Sequence, residues 1–140
     1  MADVIYNDFK KNIMNGNIDL DTDTIKVMLV TSSYTPDQDS HEFKDSVTNE
    51  VSGTGYTAGG VELTSKVVSA DDTDNEGVFD AADVTWSSST ITARGAVIYK
   101  DTGTAATSPL ICYLDFGADK SSSNGDFTIS WNAEGIVNLT

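Results

Sequence analysis

The chain has 140 residues with 22 acidic against 8 basic side chains, a formal charge of −14, one cysteine and one histidine. That length suits one domain, residues 1–140, whose core needs no disulfide or metal to hold it together. So acidic a chain repels DNA and RNA, and a lone histidine with a lone cysteine cannot assemble a zinc centre from its usual ligands.

The first residues, MADVIYNDFKK, lack the basic start and apolar run of a signal peptide. The longest apolar run is far too short to cross a bilayer, so a soluble protein made in a cytoplasm is expected. Ile5, Phe9 and Ile13, with Tyr6 beside them, mark one side of a short helix; Asp3 is its expected cap and Asn15-Gly16 its end. Thr24–Val30 follows as a strand with Ile25, Val27 and Leu29 inward. After a turn at Tyr34-Thr35-Pro36-Asp37, the capping-box spacing of Asp39 and Glu42 predicts a second short helix over Ser40–Val47. Ser52–Gly60 (SGTGYTAGG) holds four glycines and reads as a loop that folds back sharply. Val61–Val68 is a further strand, Asp71–Asp83 an acidic loop or hairpin with Val78 and Phe79 in its middle, and Val84–Trp86 a lead-in to the next strand.

That next strand, Thr90–Lys100, organises the rest. Ile91, Ala93, Gly95, Val97 and Tyr99 fall on one face at the two-residue period, with Thr90, Thr92 and Arg94 on the other. Ala96 and Ile98 then make the second face apolar too, which predicts a central strand buried on both sides. Leu110–Phe116, Asp126–Trp131 and Ile136–Thr140 complete the strands, separated by turns at Thr102–Ser108 and Ser121–Gly125. The expected fold is all-β, a β-sandwich of jelly-roll or immunoglobulin-like kind with one or two short peripheral helices.

The chemistry of catalysis is thinly represented. No G-x-S-x-G surrounds a serine, His41 is alone, and Cys112 sits in an apolar strand as a small buried hydrophobe. The glycine loop lacks the G-K-[ST] ending of a phosphate-binding loop and misses G-x-G-x-x-G by one residue, so a tight connection carrying Tyr56 to a surface or interface is expected instead. No enzymatic activity is expected. The acidic segment DTDNEGVFDAAD has more content: Asp72, Asp74, Glu76, Asp80 and Asp83 fall at positions one, three, five, nine and twelve of a calcium loop, with Gly77 at six. Asp at position twelve and strand-like flanks depart from that pattern, and a solvated acidic hairpin is the plainer alternative. Asp19, Asp21 and Asp23 alternate as well but lack the glycine.

Several stretches together resemble a known family. The N-terminal helix running into TIKVMLVTSSYTPD, the NEVSGTGYTAGG loop with VELTSKVV, then WSSSTITARGAVIYKD and NGDFTISWNAEGIVNLT resemble small virion structural proteins of tailed bacteriophages. The similarity covers nearly the whole chain in order and spacing. It implies a non-enzymatic virion component assembled in the host cytoplasm, with head decoration (cement) as the foremost role. The implied partners are the major capsid protein lattice and further copies of the chain as a homo-oligomer, with no nucleic acid and no membrane. A tail or fibre component, or a calcium-dependent glycan-binding module, are the rival roles. Candidate interface residues are Tyr6, Phe9, Tyr34 and Tyr56, each of which has packing within its own domain as the alternative.

Overall fold

Alternating apolar residues drive the principal elements of the chain into antiparallel strands. The computed structural model describes residues 3–140. In chain order its elements are β1 (Val4–Ile5), α1 (Asn7–Met14), β2 (Ile25–Val30), β3 (Val61–Glu62), β4 (Val67–Asp71), β5 (Glu76–Asp80), β6 (Val84–Ser89), β7 (Thr92–Lys100), β8 (Leu110–Ser121), β9 (Gly125–Ile129) and β10 (Val137–Leu139). A five-stranded sheet has the order β1-β8-β7-β2-β3, a three-stranded one β10-β5-β4, and a two-stranded one β6-β9. The fold is all-β and sandwich-like, with one short α-helix among the described residues.

β7 lies between β8 and β2, and from Gly95 to Tyr99 it is buried on both faces. Ile25, Val27 and Leu29 of β2, with Ala96 and Ile98 of β7, pack against Phe79, Trp86, Phe127 and Val137 of the two smaller sheets. Met28, Val30, Val97, Tyr99 and Tyr113 form a second cluster on the opposite face. Tyr6, from the turn before α1, and Tyr34, from the loop after β2, close that cluster over.

The simple alternation expected along Thr90–Lys100 does not hold throughout. Ile91 and Ala93 join the same cluster as Ala96 and Ile98, so the inward face of the strand switches between Ala93 and Ala96. At that point Ala93 pairs with Lys120 but Gly95 with Asp115, leaving residues 116–119 of β8 opposite Arg94 alone. Such a bulge bends and twists the pair, and it extends β8 beyond the expected Phe116 to Ser121. Gly95 fits because a Cβ there would stand 2.6 Å from the Tyr113 ring.

Three other local readings are overturned. Asp3 does not cap α1: Val4 and Ile5 pair with Tyr113 and Cys112, and Asp3 Oδ1 accepts the Asp115 N–H at 2.8 Å. The helix expected over Ser40–Val47 is a single 3-10 turn at Lys44–Ser46. Its backbone is claimed elsewhere, since Lys44 N donates to Ser108 O and Leu110 N to Glu42 O at 2.8 and 3.0 Å. Asp39, the expected cap, instead accepts from Asn7 Nδ2 at 2.8 Å. The strand expected over Val61–Val68 is likewise divided, with Ser65 at a φ of 52° between β3 and β4.

Ser52–Gly60 is a loop, as expected, and its end is pressed onto β2. A Cβ on Gly60, whose φ is +77°, would stand 1.8 Å from Val27 O. Gly60→Ala is therefore expected to cost about 2–4 kcal/mol in urea unfolding, through strain and displacement together. Gly103→Ala, also at positive φ (+90°) but with open space around it, should cost only about 1 kcal/mol. Equal losses would mean that the loop is not seated on β2.

Candidate functional site

The β4–β5 hairpin carries the densest group of carboxylates with room to act. Asp71 ends β4, and its Oδ1 accepts the N–H groups of Thr73 and Asp74 at 2.8 and 3.2 Å, which tightens the turn. Asn75 takes a left-handed φ of 58° and returns the chain into β5 at Glu76. Glu134 arrives from a separate turn, in which its own N–H donates to Asn132 Oδ1 at 2.9 Å. Gly135 lets that turn pack closely, because a Cβ there would stand 2.6 Å from Val78 Cγ1. Asn138 Nδ2 bridges the two segments by donating to Glu76 Oε1 and to Glu134 O.

Each of Asp71, Asp74, Glu76 and Glu134 thus offers an oxygen, all within 4.8 Å of one another. A hard cation such as calcium takes six to eight oxygens, and this group supplies four carboxylate side chains. Of the five residues expected from calcium-loop spacing, Asp74 and Glu76 belong to the group and Asp72, Asp80 and Asp83 do not. The reason is geometric. A calcium loop curls around its ion, whereas β5 is extended and carries Asp80 about 13 Å from Glu76 at the usual rise per residue. Asp80 Oδ1 accepts the N–H of Ala81, and Asp83 Oδ1 that of Trp131. Asp72 and Asp80 line one depression with Asp71 and Glu134 but fall outside the close group of oxygens. Asp71 was one residue outside the spacing. Glu134 was out of reach of any local pattern, since only the β5–β10 pairing brings its turn to the hairpin.

The four aromatic candidates face inward. Tyr6 and Phe9 are fully buried and Tyr34 nearly so. The Tyr6 and Tyr34 hydroxyls lie 2.8 Å apart, and Tyr34 lies 2.9 Å from His41 Nδ1. The N–H of Asp37 donates to that same nitrogen at 3.2 Å, so it serves as an acceptor. Tyr34 is then its second donor and Tyr6 donates to Tyr34. Burial, followed by the bond to Tyr34, pushes the Tyr6 phenol well above its ordinary range. Tyr34 also stacks on His41, with ring centroids 5.7 Å apart.

Tyr56 does not carry the glycine loop outward. Its hydroxyl donates to Glu50 Oε2 at 2.6 Å and accepts the Leu29 N–H at 2.9 Å. The same carboxylate oxygen takes the Gly59 N–H at 2.7 Å, and Tyr99 donates to Gly59 O at 2.6 Å. These bonds lock the loop to β2 and β7. Cys112 is buried in β8, and burial, with a smaller contribution from the Asp3 charge, pushes its thiol up, away from the reactive thiolate. It belongs to the cluster on one face of the five-stranded sheet, while His41 stacks on a tyrosine of the other.

No family model, no curated protein and no solved structure matches the chain. No helix among the described residues is long and apolar enough to cross a membrane.

The carboxylate group has a direct test. Calcium at about a hundred times its dissociation constant should stabilise the fold by about 2.7 kcal/mol and raise the melting temperature. Asp74→Asn with Glu76→Gln should remove that rise, and Asp80→Asn should not. A melting curve unchanged from micromolar to millimolar calcium would leave a solvated acidic hairpin.

Proposed function

We propose that the chain is a structural protein of a tailed-bacteriophage virion, and that it decorates the head as a cement protein. The ordered succession of motifs along nearly the whole sequence carries this reading. The structure supports it in a specific way: His41, Cys112 and the candidate tyrosines are engaged in holding the fold together, and the outward-facing chemistry is acidic. On this reading the chain acts by binding.

Cement proteins work by mass action. Binding to an assembled lattice, and not to its free subunits, lowers the free energy of the lattice and resists the pressure of packaged DNA. A body with its loops hydrogen-bonded to the core loses little conformational entropy on docking. The charge of −14 makes Lys- and Arg-bearing capsid surfaces the matching partner. The four-carboxylate group favours one further role, a calcium-dependent contact within the particle or with a glycan. A tail component is the competing location.

Separating heads from tails in purified particles distinguishes the locations. The chain is expected on tailless heads, bound more tightly to expanded than to unexpanded shells and released by salt. Heads without it should assemble normally yet break at lower temperature or under osmotic shock. Its recovery with tails alone, or heads equally robust without it, would contradict the cement role.

A further inference from the structure

We propose that a cleft beside the glycine loop takes the ammonium group of a lysine side chain presented by a partner protein, with Glu50 as its counter-charge. The cleft has a volume of about 320 Å³ and is lined by Glu50 and by the hydroxyl-bearing Thr31, Ser52, Thr90, Thr92 and Ser122. Its walls are fixed by backbone bonds. Glu50 bridges to Val30, Val51 N donates to Leu29 O at 2.9 Å, and Ser122 N donates to Ile91 O at 2.9 Å. Glu50 Oε2 is taken by the Tyr56 hydroxyl and the Gly59 N–H. Oε1 accepts no hydrogen bond from the described residues and is not sealed from solvent.

Charge and geometry select the occupant. Glu50 is half-buried and has no cation: the ion pairs among the described residues join Lys11, Lys26, Arg94 and Lys100 to aspartates elsewhere. A charge drawn partly out of water is costly until an opposite charge meets it. No basic side chain lines the cleft, and the net charge of −14 further favours a positive ligand over an anion. Arginine suits a carboxylate that offers both oxygens to its planar fork. Here Oε2 is occupied, so the fork cannot be met. An ammonium needs only single acceptors spread around one nitrogen, and Oε1 with the neighbouring hydroxyl oxygens supplies them. Because Tyr56 and Gly59 already hold the carboxylate, little freedom is lost when the lysine arrives. The inference deepens the virion reading and rests on it only for the identity of the protein that carries the lysine.

Chemical-shift titration of the full chain with Nα-acetyl-lysine methylamide, at constant ionic strength, tests this. Saturable shifts are expected at the amides of Ser52, Gly59 and Thr92, with a dissociation constant of about 1–10 mM. The arginine counterpart should bind more weakly, and a probe acetylated on Nε, which has lost its charge, should leave these amides unmoved. Glu50→Gln keeps an oxygen for Tyr56 and Gly59 but not the charge, and should weaken binding about tenfold. Thr92→Lys supplies an ammonium from the rim, leaves Glu50 and its bonds in place, and should abolish binding of the probe. Shifts that are absent from the cleft, or that spread over the acidic surface without saturating, would overturn the proposal. So would equal binding of the arginine probe, the neutral probe or methyl glucoside, or indifference to both substitutions. These results stand whether or not the chain is found on heads, so the lysine site and the cement role fail separately.

Discussion

The two-sided burial of β2 and β7 is the constraint from which the rest of the molecule follows. A sheet with apolar side chains on both faces must be covered twice. On one side the β10-β5-β4 and β6-β9 sheets supply the cover, bringing Phe79, Trp86 and Phe127 onto Val27 and Ile98. On the other no further sheet lies among the described residues, and single side chains do the work: Tyr6, Tyr34 and Val47, from three separate segments. Each buried hydroxyl then needs a partner, which is why Tyr6, Tyr34 and His41 form a chain of hydrogen bonds. The same requirement ties Tyr56 and Tyr99 to Glu50 and Gly59 and turns a glycine-rich loop into a fixed part of the body.

This arrangement separates two kinds of chemistry. The polar aromatic groups and the thiol are committed to internal packing, whereas most carboxylates, Glu50 and Asp115 apart, are carried outward. The hairpin of β4 and β5 concentrates that outward chemistry. Its tip gathers Asp71, Asp74 and Glu76 beside Glu134.

Much of the fold was legible because the strands announce themselves by period. Ile25, Val27 and Leu29 were read inward, and inward they are. The centrality of Thr90–Lys100 followed from Ala96 and Ile98, which make its second face apolar. What period could not show was the switch of face after Ala93, because it depends on four residues of β8 bulging opposite Arg94. The helix expected over Ser40–Val47 fails for a related reason. Capping-box spacing is a local signal, and backbone bonds to Ser108 and Leu110 outweigh it. Tyr56 reads as a surface anchor from its glycine neighbours; its inward direction depends on Glu50, six residues back on the other arm of the loop. The carboxylate group was half legible. Asp74 and Glu76 lie within one turn, but Glu134 joins them only through tertiary pairing, and linear spacing carried the expectation along an extended strand to Asp80 and Asp83 instead.

The chain is a preformed body whose loops are bonded to a doubly covered sheet. Native-state hydrogen exchange tests it most directly. The amides of Leu29 and Gly59, which donate to Tyr56 and Glu50, should exchange as slowly as those of Val97 and Ile98 in β7. Tyr56→Phe should release Gly59 selectively while β7 stays protected. Rapid exchange at Gly59 in the unaltered protein, with β7 still protected, would contradict the account, because the glycine loop would then be opening independently of the core.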